Sequence, residues 1–211
     1  HEFSLEISNY SDIVVCDYNY AFDPRTHLIR YFEEEYYSPK ILVDEAHNMI
    51  DRSRNMYSSI LSKNELLELK KNVKKIKPSP TAAINKLIQY IDDFVSENEI
   101  EKARFYYQFE VDNEFLVLVE RAVNKLDKVL SENKKHPQRK LILDGYFALN
   151  QFLKISEFYN DKYRYIVEFS KKDITISLNC LDASSFILDT IKRRVNGIVF
   201  FSATLFPIDY Y

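Results

Sequence analysis

Only two of the 211 residues are glycine, Gly145 and Gly197, and that scarcity decides which nucleotide-binding folds this chain can complete by itself. A phosphate-cradling P-loop ends in Gly-Lys-[Ser/Thr], and a dinucleotide fingerprint needs three closely spaced glycines. Gly145 precedes Tyr146 and Gly197 precedes Ile198, so neither loop can be built. Cysteine is equally sparse. Cys16 and Cys180 cannot supply four thiolates to an iron–sulfur cluster or close a zinc site. They also exclude a disulfide scaffold, which makes a reducing compartment the expectation. Cys16 follows Val15 in an apolar run and reads as a small buried hydrophobe.

The remaining composition is that of a soluble globular protein, with 46% apolar and 29% charged residues. No apolar run approaches the roughly 20 residues of a spanning helix, so no membrane partner is expected. The first residues lack a basic segment followed by an apolar core, so no secretory signal is visible. The net charge of −3 means that nucleic-acid binding would have to come from local patches.

The two ends read as α/β and the middle as mostly α. Residues 12–16, 41–44 and 198–201 are short apolar runs of the kind buried on both faces in a parallel sheet. Asp23 and Pro24 fit an N-cap and first helical residue for a helix over 24–36. Ser62 and Glu65 fit a capping box. Behind it Leu66, Leu69, Val73 and Ile76 form a helical stripe. Pro78 and Pro80 stop that helix. Two further stripes run through Ile84, Leu87, Ile88, Ile91 and Val95, and through Phe115, Val119, Ala122, Leu126 and Leu130. A fourth helix carries Leu149, Phe152, Leu153 and Ser156. Residues 105–111 suit a short strand or a helix, with their aromatics in the core. After Tyr159 the period shortens to two, and Tyr163–Phe169 and Ile174–Cys180 read as a hairpin around Ser170–Asp173. A helix over 184–194 and a last strand follow.

Two motifs carry chemistry. In Ile41-Leu42-Val43-Asp44-Glu45-Ala46-His47 an aliphatic strand feeds directly into paired carboxylates. Ligands bind at that edge of parallel sheets. An Asp there can hold Mg²⁺, and the next carboxylate can orient or deprotonate a water that attacks a γ-phosphate. The alternative is an acidic helix cap. In Phe200-Phe201-Ser202-Ala203-Thr204 hydroxyls follow a second apolar strand and can relay a change at a phosphate site. Alone they would read as a turn or cap.

Asp44-Glu45-Ala46-His47 resembles motif II, and Ser202-Ala203-Thr204 resembles motif III, of superfamily-2 helicases. The flanks narrow the resemblance to the XPD/DinG group of iron–sulfur DNA helicases. They are residues 12–25, Asp44 to Asp51, Cys180-Leu-Asp182-Ala-Ser184, and Ser202 to Tyr211. In that group a helical Arch domain lies between motifs II and III, and 154 residues separate His47 from Ser202 here.

The resemblance implies a partial RecA-like P-loop NTPase motor domain with a helical Arch insertion. Residues 1–56 and 161–211 would belong to the motor and 57–160 to the Arch. It implies that Asp44 holds the Mg²⁺ of Mg-ATP, that Glu45 activates water, and that His47 with Ser202, Ala203 and Thr204 couples phosphate chemistry to DNA contacts. It places the Walker A loop and four cluster cysteines, hence a 4Fe-4S cofactor, before residue 1, and a second motor domain after residue 211. The expectation is therefore an excised piece of an ATP-dependent DNA helicase. By family it would run 5′→3′ in repair or replication, in the cytoplasm at a bacterial nucleoid or in a nucleus.

Lys70, Lys71, Lys74, Lys75 and Lys77 form a basic patch that could track single-stranded or forked DNA, or could be a solvated helix face. Tyr18, Asn19 and Tyr20 precede the first motif and could approach DNA, but read first as a packed turn. A repair protein is a possible partner of the Arch. The competing readings are a stand-alone helical interaction module with decayed helicase borders and the helicase part of a nuclease fusion.

Overall fold

The computed structural model describes residues 2–26, 39–74, 76 and 79–205. The described chain divides into two compact units, His1–Met56 with Ser184–Tyr211, and Tyr57–Ala183. The expected return to the motor at residue 161 differs from this division. The hairpin strands after Tyr159 pair with a strand at 59–62, so their hydrogen bonds hold them in the second unit up to Ala183.

The first unit contains α1 (Glu2–Ser8), α2 (Asn19–Phe22), β1 (Lys40–Val43), α3 (Met49–Met56), α9 (Ser184–Arg194) and β6 (Gly197–Phe200). Strands β1 and β6 pair in parallel, with Lys40 opposite Gly197 and Val43 opposite Phe200. The expected strand at 12–16 is not formed. Ile13 is 82% and Val15 94% exposed, and Cys16 is exposed instead of buried. An apolar run becomes a buried strand only against a neighbouring edge and covering layers, which the two described strands do not give it. Residues 24–26 form a turn, and the rest of the helix expected over 24–36 lies outside the described residues. The buried carboxylate of Asp23 accepts bonds from the Arg25 backbone N–H at 2.8 Å and from the Arg25 guanidinium at 2.6 and 2.8 Å.

The second unit holds β2 (Ser59–Ser62), α4 (Lys63–Val73), α5 (Thr81–Glu97), α6 (Ile100–Ala103), β3 (Phe105–Gln108), α7 (Asn113–Glu132), α8 (Arg139–Ser156), β4 (Tyr163–Phe169) and β5 (Ile174–Cys180). Its strands form one antiparallel sheet in the order β2-β5-β4-β3. Tyr163, Tyr165 and Val167 of β4, and Ile174, Ile176, Leu178 and Cys180 of β5, are buried on one face. That face packs against the helices, whose stripes Leu66–Leu69–Val73, Ile84–Leu87–Ile91 and Phe115–Val119–Leu126 are buried. The capping box is made in part: Ser62 Oγ accepts from Glu65 N–H at 3.2 Å and donates to Asp173 Oδ2 at 2.6 Å. Asp112 caps α7 through the Phe115 N–H at 3.0 Å, while its other oxygen accepts from Tyr90 Oη at 2.8 Å.

The tyrosines in this core set its response to alkali. Burial first, then the Asp112 hydrogen bond, pushes the Tyr90 phenol far above its ordinary value. Burial does the same to Tyr163 and Tyr165. A folded-state pKa raised above the unfolded value means that the unfolded chain releases its protons first. Stability is therefore complete below about pH 10 and falls as pH rises beyond it. In a spectrophotometric tyrosine titration these three phenols should ionise only as the second unit unfolds. Titration of all sixteen tyrosines in one step, with circular dichroism unchanged, would contradict this.

Candidate functional site

Parallel pairing brings the ends of β1 and β6 to the same edge, and the ladder runs past both strands. Phe201 N–H donates to Val43 C=O at 3.0 Å, and Ala46 N–H returns a bond to Phe201 C=O at 3.1 Å. These two bonds fix the turn that carries Asp44, Glu45 and His47 beside the turn that carries Ser202 and Thr204.

Four side chains then meet. His47 Nδ1 lies 2.8 Å from Ser202 Oγ, 3.1 Å from Thr204 Oγ1 and 3.2 Å from Glu45 Oε2. Ser202 Oγ also lies 3.3 Å from Glu45 Oε2 and 3.3 Å from Thr204 Oγ1. Glu45, His47, Ser202 and Thr204 thus form one hydrogen-bonded constellation across 155 residues of chain. A carboxylate, an imidazole and two hydroxyls in this arrangement can pass a proton or a change in hydrogen bonding from one strand end to the other.

Asp44 sits at the strand end with its carboxylate exposed. Its Oδ1 accepts the Glu45 N–H at 2.7 Å, which leaves Oδ2 pointing away from that bond. Hard carboxylate oxygen at an open position suits Mg²⁺. Ala203 lies exposed in the turn between the two hydroxyl residues. Among the described residues, no group of three or more His, Cys, Asp or Glu forms a ready metal cage.

Glu45 has a left-handed backbone, φ 50° and ψ 42°, which a non-glycine residue adopts at a cost. The sequence reading missed what holds it. Tyr18 Oη donates to Asp44 C=O and lies 3.1 Å from Glu45 C=O. Burial and the adjacent Asp44 and Glu45 charges raise the Tyr18 phenol, which keeps it a donor. Tyr18 is therefore a clamp on the carboxylate turn. The signal available in the sequence was an aromatic hydroxyl 26 residues before Asp44, but its acceptors are main-chain oxygens that any residue presents.

The lysine patch is placed in part. Lys71 and Lys74 are exposed and Lys70 half-exposed, opposite the buried Leu66, Leu69 and Val73. Lys75 and Lys77 lie outside the described residues. Lys70 and Lys71 stand in the last turn of α4, where cations also favour the helix dipole.

Tyr18→Phe should remove the clamp while keeping the ring. A net loss of about 1 kcal/mol is expected for such a bond. Hydrogen exchange at the Ala46 and Phe201 amides should quicken roughly fivefold, with the second unit unaffected. Unchanged exchange would show that the turn holds itself.

The DEAD_2 family model matches residues 2–66. That stretch contains Tyr18 and Asp44 to His47 and ends inside α4. No curated protein matches the sequence. Residues 2–66 therefore relate this chain to the helicases, through a domain of DEAD-box and XPD-like helicases.

Proposed function

We propose that this chain is the part of an ATP-dependent DNA helicase of the XPD/DinG type that carries motif II, an Arch domain and motif III. The observation that supports it most is the contact of His47 with both Ser202 and Thr204 beside Glu45. Motif II and motif III residues would need that contact to work together. The DEAD_2 match over residues 2–66 supports the helicase relationship on separate grounds.

In this reading Asp44 holds the magnesium of Mg-ATP, and the bound metal neutralises phosphate charge. Glu45 orients or deprotonates the attacking water. His47 takes its hydrogen-bond partner from Ser202 and Thr204, so a change at Glu45 alters bonds on the β6 side. The phosphate cradle comes from a P-loop that these 211 residues do not contain. The 4Fe-4S cluster of the XPD/DinG type likewise draws no ligand set from this chain, which has two cysteines. The second unit is the Arch in this reading, with Lys70, Lys71 and Lys74 along a single-strand path.

The test is made in a helicase in which this sequence is joined to its P-loop. Glu45→Gln should lower DNA-stimulated ATP hydrolysis at least about 100-fold, with nucleotide affinity little changed. Full turnover by the Gln variant would remove Glu45 from the mechanism. Neutralising Lys70, Lys71 and Lys74 together should flatten the slope of log affinity against log salt by about 0.7 for each lost single-strand phosphate contact. An unchanged slope would leave these lysines as a solvated face and helix-dipole partners.

A further inference from the structure

Strand β3 is the outer strand of the second unit's sheet, and its aromatics are not in the core where the sequence placed them. Phe105, Tyr107 and Phe109 are 48%, 54% and 63% exposed. They form a row, with 6.1 Å between successive ring centroids. Tyr106, on the other face, packs against Phe94 at 5.4 Å, which anchors the strand from within. Phe109 lies just past the strand, and Tyr159 Oη holds it by donating to its C=O at 3.1 Å. The Arg164 guanidinium lies 4.2 Å over the Phe109 ring, so a planar cation ends the row.

The row borders an open sheet face. The helices cover the face that carries Tyr163, Tyr165, Ile176 and Leu178. On the other face the register sets Tyr107, Ile166, Ser177 and Ile60 side by side. Its centre is polar, because Thr175, Ser177 and Asn179 of β5 are half-exposed there. Charge is uneven along the row. Arg104 C=O accepts the Phe169 N–H at 3.0 Å, which brings Arg104 beside the β4–β5 loop with Lys171 and Lys172. All three cations are exposed at this Phe105 end, against Glu168. Asp173 of the same loop turns its carboxylate to Ser62 and to the Asn64 and Ile174 amides. At the Phe109 end Glu110 and Asp161 are exposed and offset Arg164.

We propose that this sheet face is a stacking platform for single-stranded DNA. Each exposed ring offers a π face to a base, and the side of the Arg164 guanidinium turned away from Phe109 offers another. The hydroxyls and amide of Thr175, Ser177 and Asn179 can bond base edges. Arg104, Lys171 and Lys172 give the phosphates a counter-charge at the Phe105 end. A duplex shows its grooves the edges of its bases and not their faces, so only an unpaired strand can use the row. A protein partner or a second copy would need an apolar centre to its interface, and this face has a polar one. The inference rests on the helicase reading for the choice of DNA alone. Stacking uses none of the carboxylate–hydroxyl constellation, and the face is distinct from the α4 lysines, which stand on the helical layer.

Fluorescence anisotropy of labelled oligothymidylate, about 12 nucleotides long, tests it with the 211-residue chain. Low salt is used, because the net charge of −3 opposes binding. Tyr107→Ala and Phe109→Ala should each weaken binding about fivefold or more, and Tyr107→Phe should stay within about twofold. Arg164→Lys keeps the charge but loses the plane, and should also weaken binding about fivefold. Phe147 is an equally exposed ring on α8, at 57%; Phe147→Ala should change affinity less than about twofold. Lys171→Ala should flatten the slope of log affinity against log salt by about 0.7, whereas Tyr107→Ala should leave that slope unchanged. Iododeoxyuridine in the oligonucleotide should cross-link to residues 105–109. Circular dichroism checks the fold of each variant. Oligouridylate should bind within about threefold, since stacking needs only the base. The measurement needs no ATP, so its outcome and that of the Glu45 test are independent. Affinity unchanged by Tyr107→Ala and Phe109→Ala would give the face to another protein or a second copy and overturn the proposal. So would an equal loss with Phe147→Ala, cross-links confined to other segments, a duplex that binds as tightly as the single strand, or oligouridylate bound more than about tenfold tighter than DNA.

Discussion

Everything at the carboxylate turn depends on one parallel pairing. Strands β1 and β6 are four residues each, and two-stranded sheets are marginal in water. The pair is extended by the bonds from Phe201 to Val43 and from Ala46 to Phe201. The Tyr18 clamp and the His47–Ser202–Thr204 contacts then tie the same turns through side chains. The chain between these strands is long, but loop-closure entropy grows only with the logarithm of length. A long connection is least costly when it folds by itself. The second unit has its own sheet, its own helices and a buried core running from Leu61 to Cys180, so the connection is a folded body and not a slack loop.

The helical stripes and the β4–β5 hairpin were legible because each residue's burial follows from its local period. Ile84, Leu87, Ile88, Ile91 and Val95 are all buried, as a 3.6-residue repeat requires. Tyr163, Tyr165 and Val167 alternate buried with half-exposed neighbours, as a period of two requires. Strand β2 was not legible. Ser59-Ile-Leu-Ser62 is too short and too polar to announce itself, and it becomes a strand through its partner β5. The failure at 12–16 has the same origin with the opposite sign: Ile13-Val14-Val15 has the composition of a strand, but no described neighbour pairs with it. Non-local pairing decides such segments, and a sequence window contains only one of the two partners.

The aromatics of β3 were misplaced for a related reason. Ring content predicts burial on average, but an alternating strand sends half its rings to each face. Tyr106 went inward to Phe94, while Phe105 and Tyr107 went outward. Which set is buried depends on the face the helices cover, and the hairpin packing settles that.

At the carboxylate turn the sequence revealed the residue types and concealed the conformation. Asp-Glu-Ala-His after an aliphatic strand announces its chemistry through composition and order. Nothing in it announces that Glu45 is left-handed. A left-handed non-glycine residue costs on the order of 1–2 kcal/mol, and glycine would relieve that cost. Glycine would also delete the carboxylate that reaches His47 and Ser202. The strain and the contact are therefore two results of one choice: a side chain is kept where the backbone favours its absence. Tyr18 makes that choice sustainable, because it donates to the Asp44 carbonyl and lies 3.1 Å from the Glu45 carbonyl, the two oxygens that flank the left-handed residue. With those oxygens held, the turn cannot relax toward a right-handed backbone without giving up hydrogen bonds of comparable worth, and the Glu45 carboxylate stays on the side of the β6 hydroxyls.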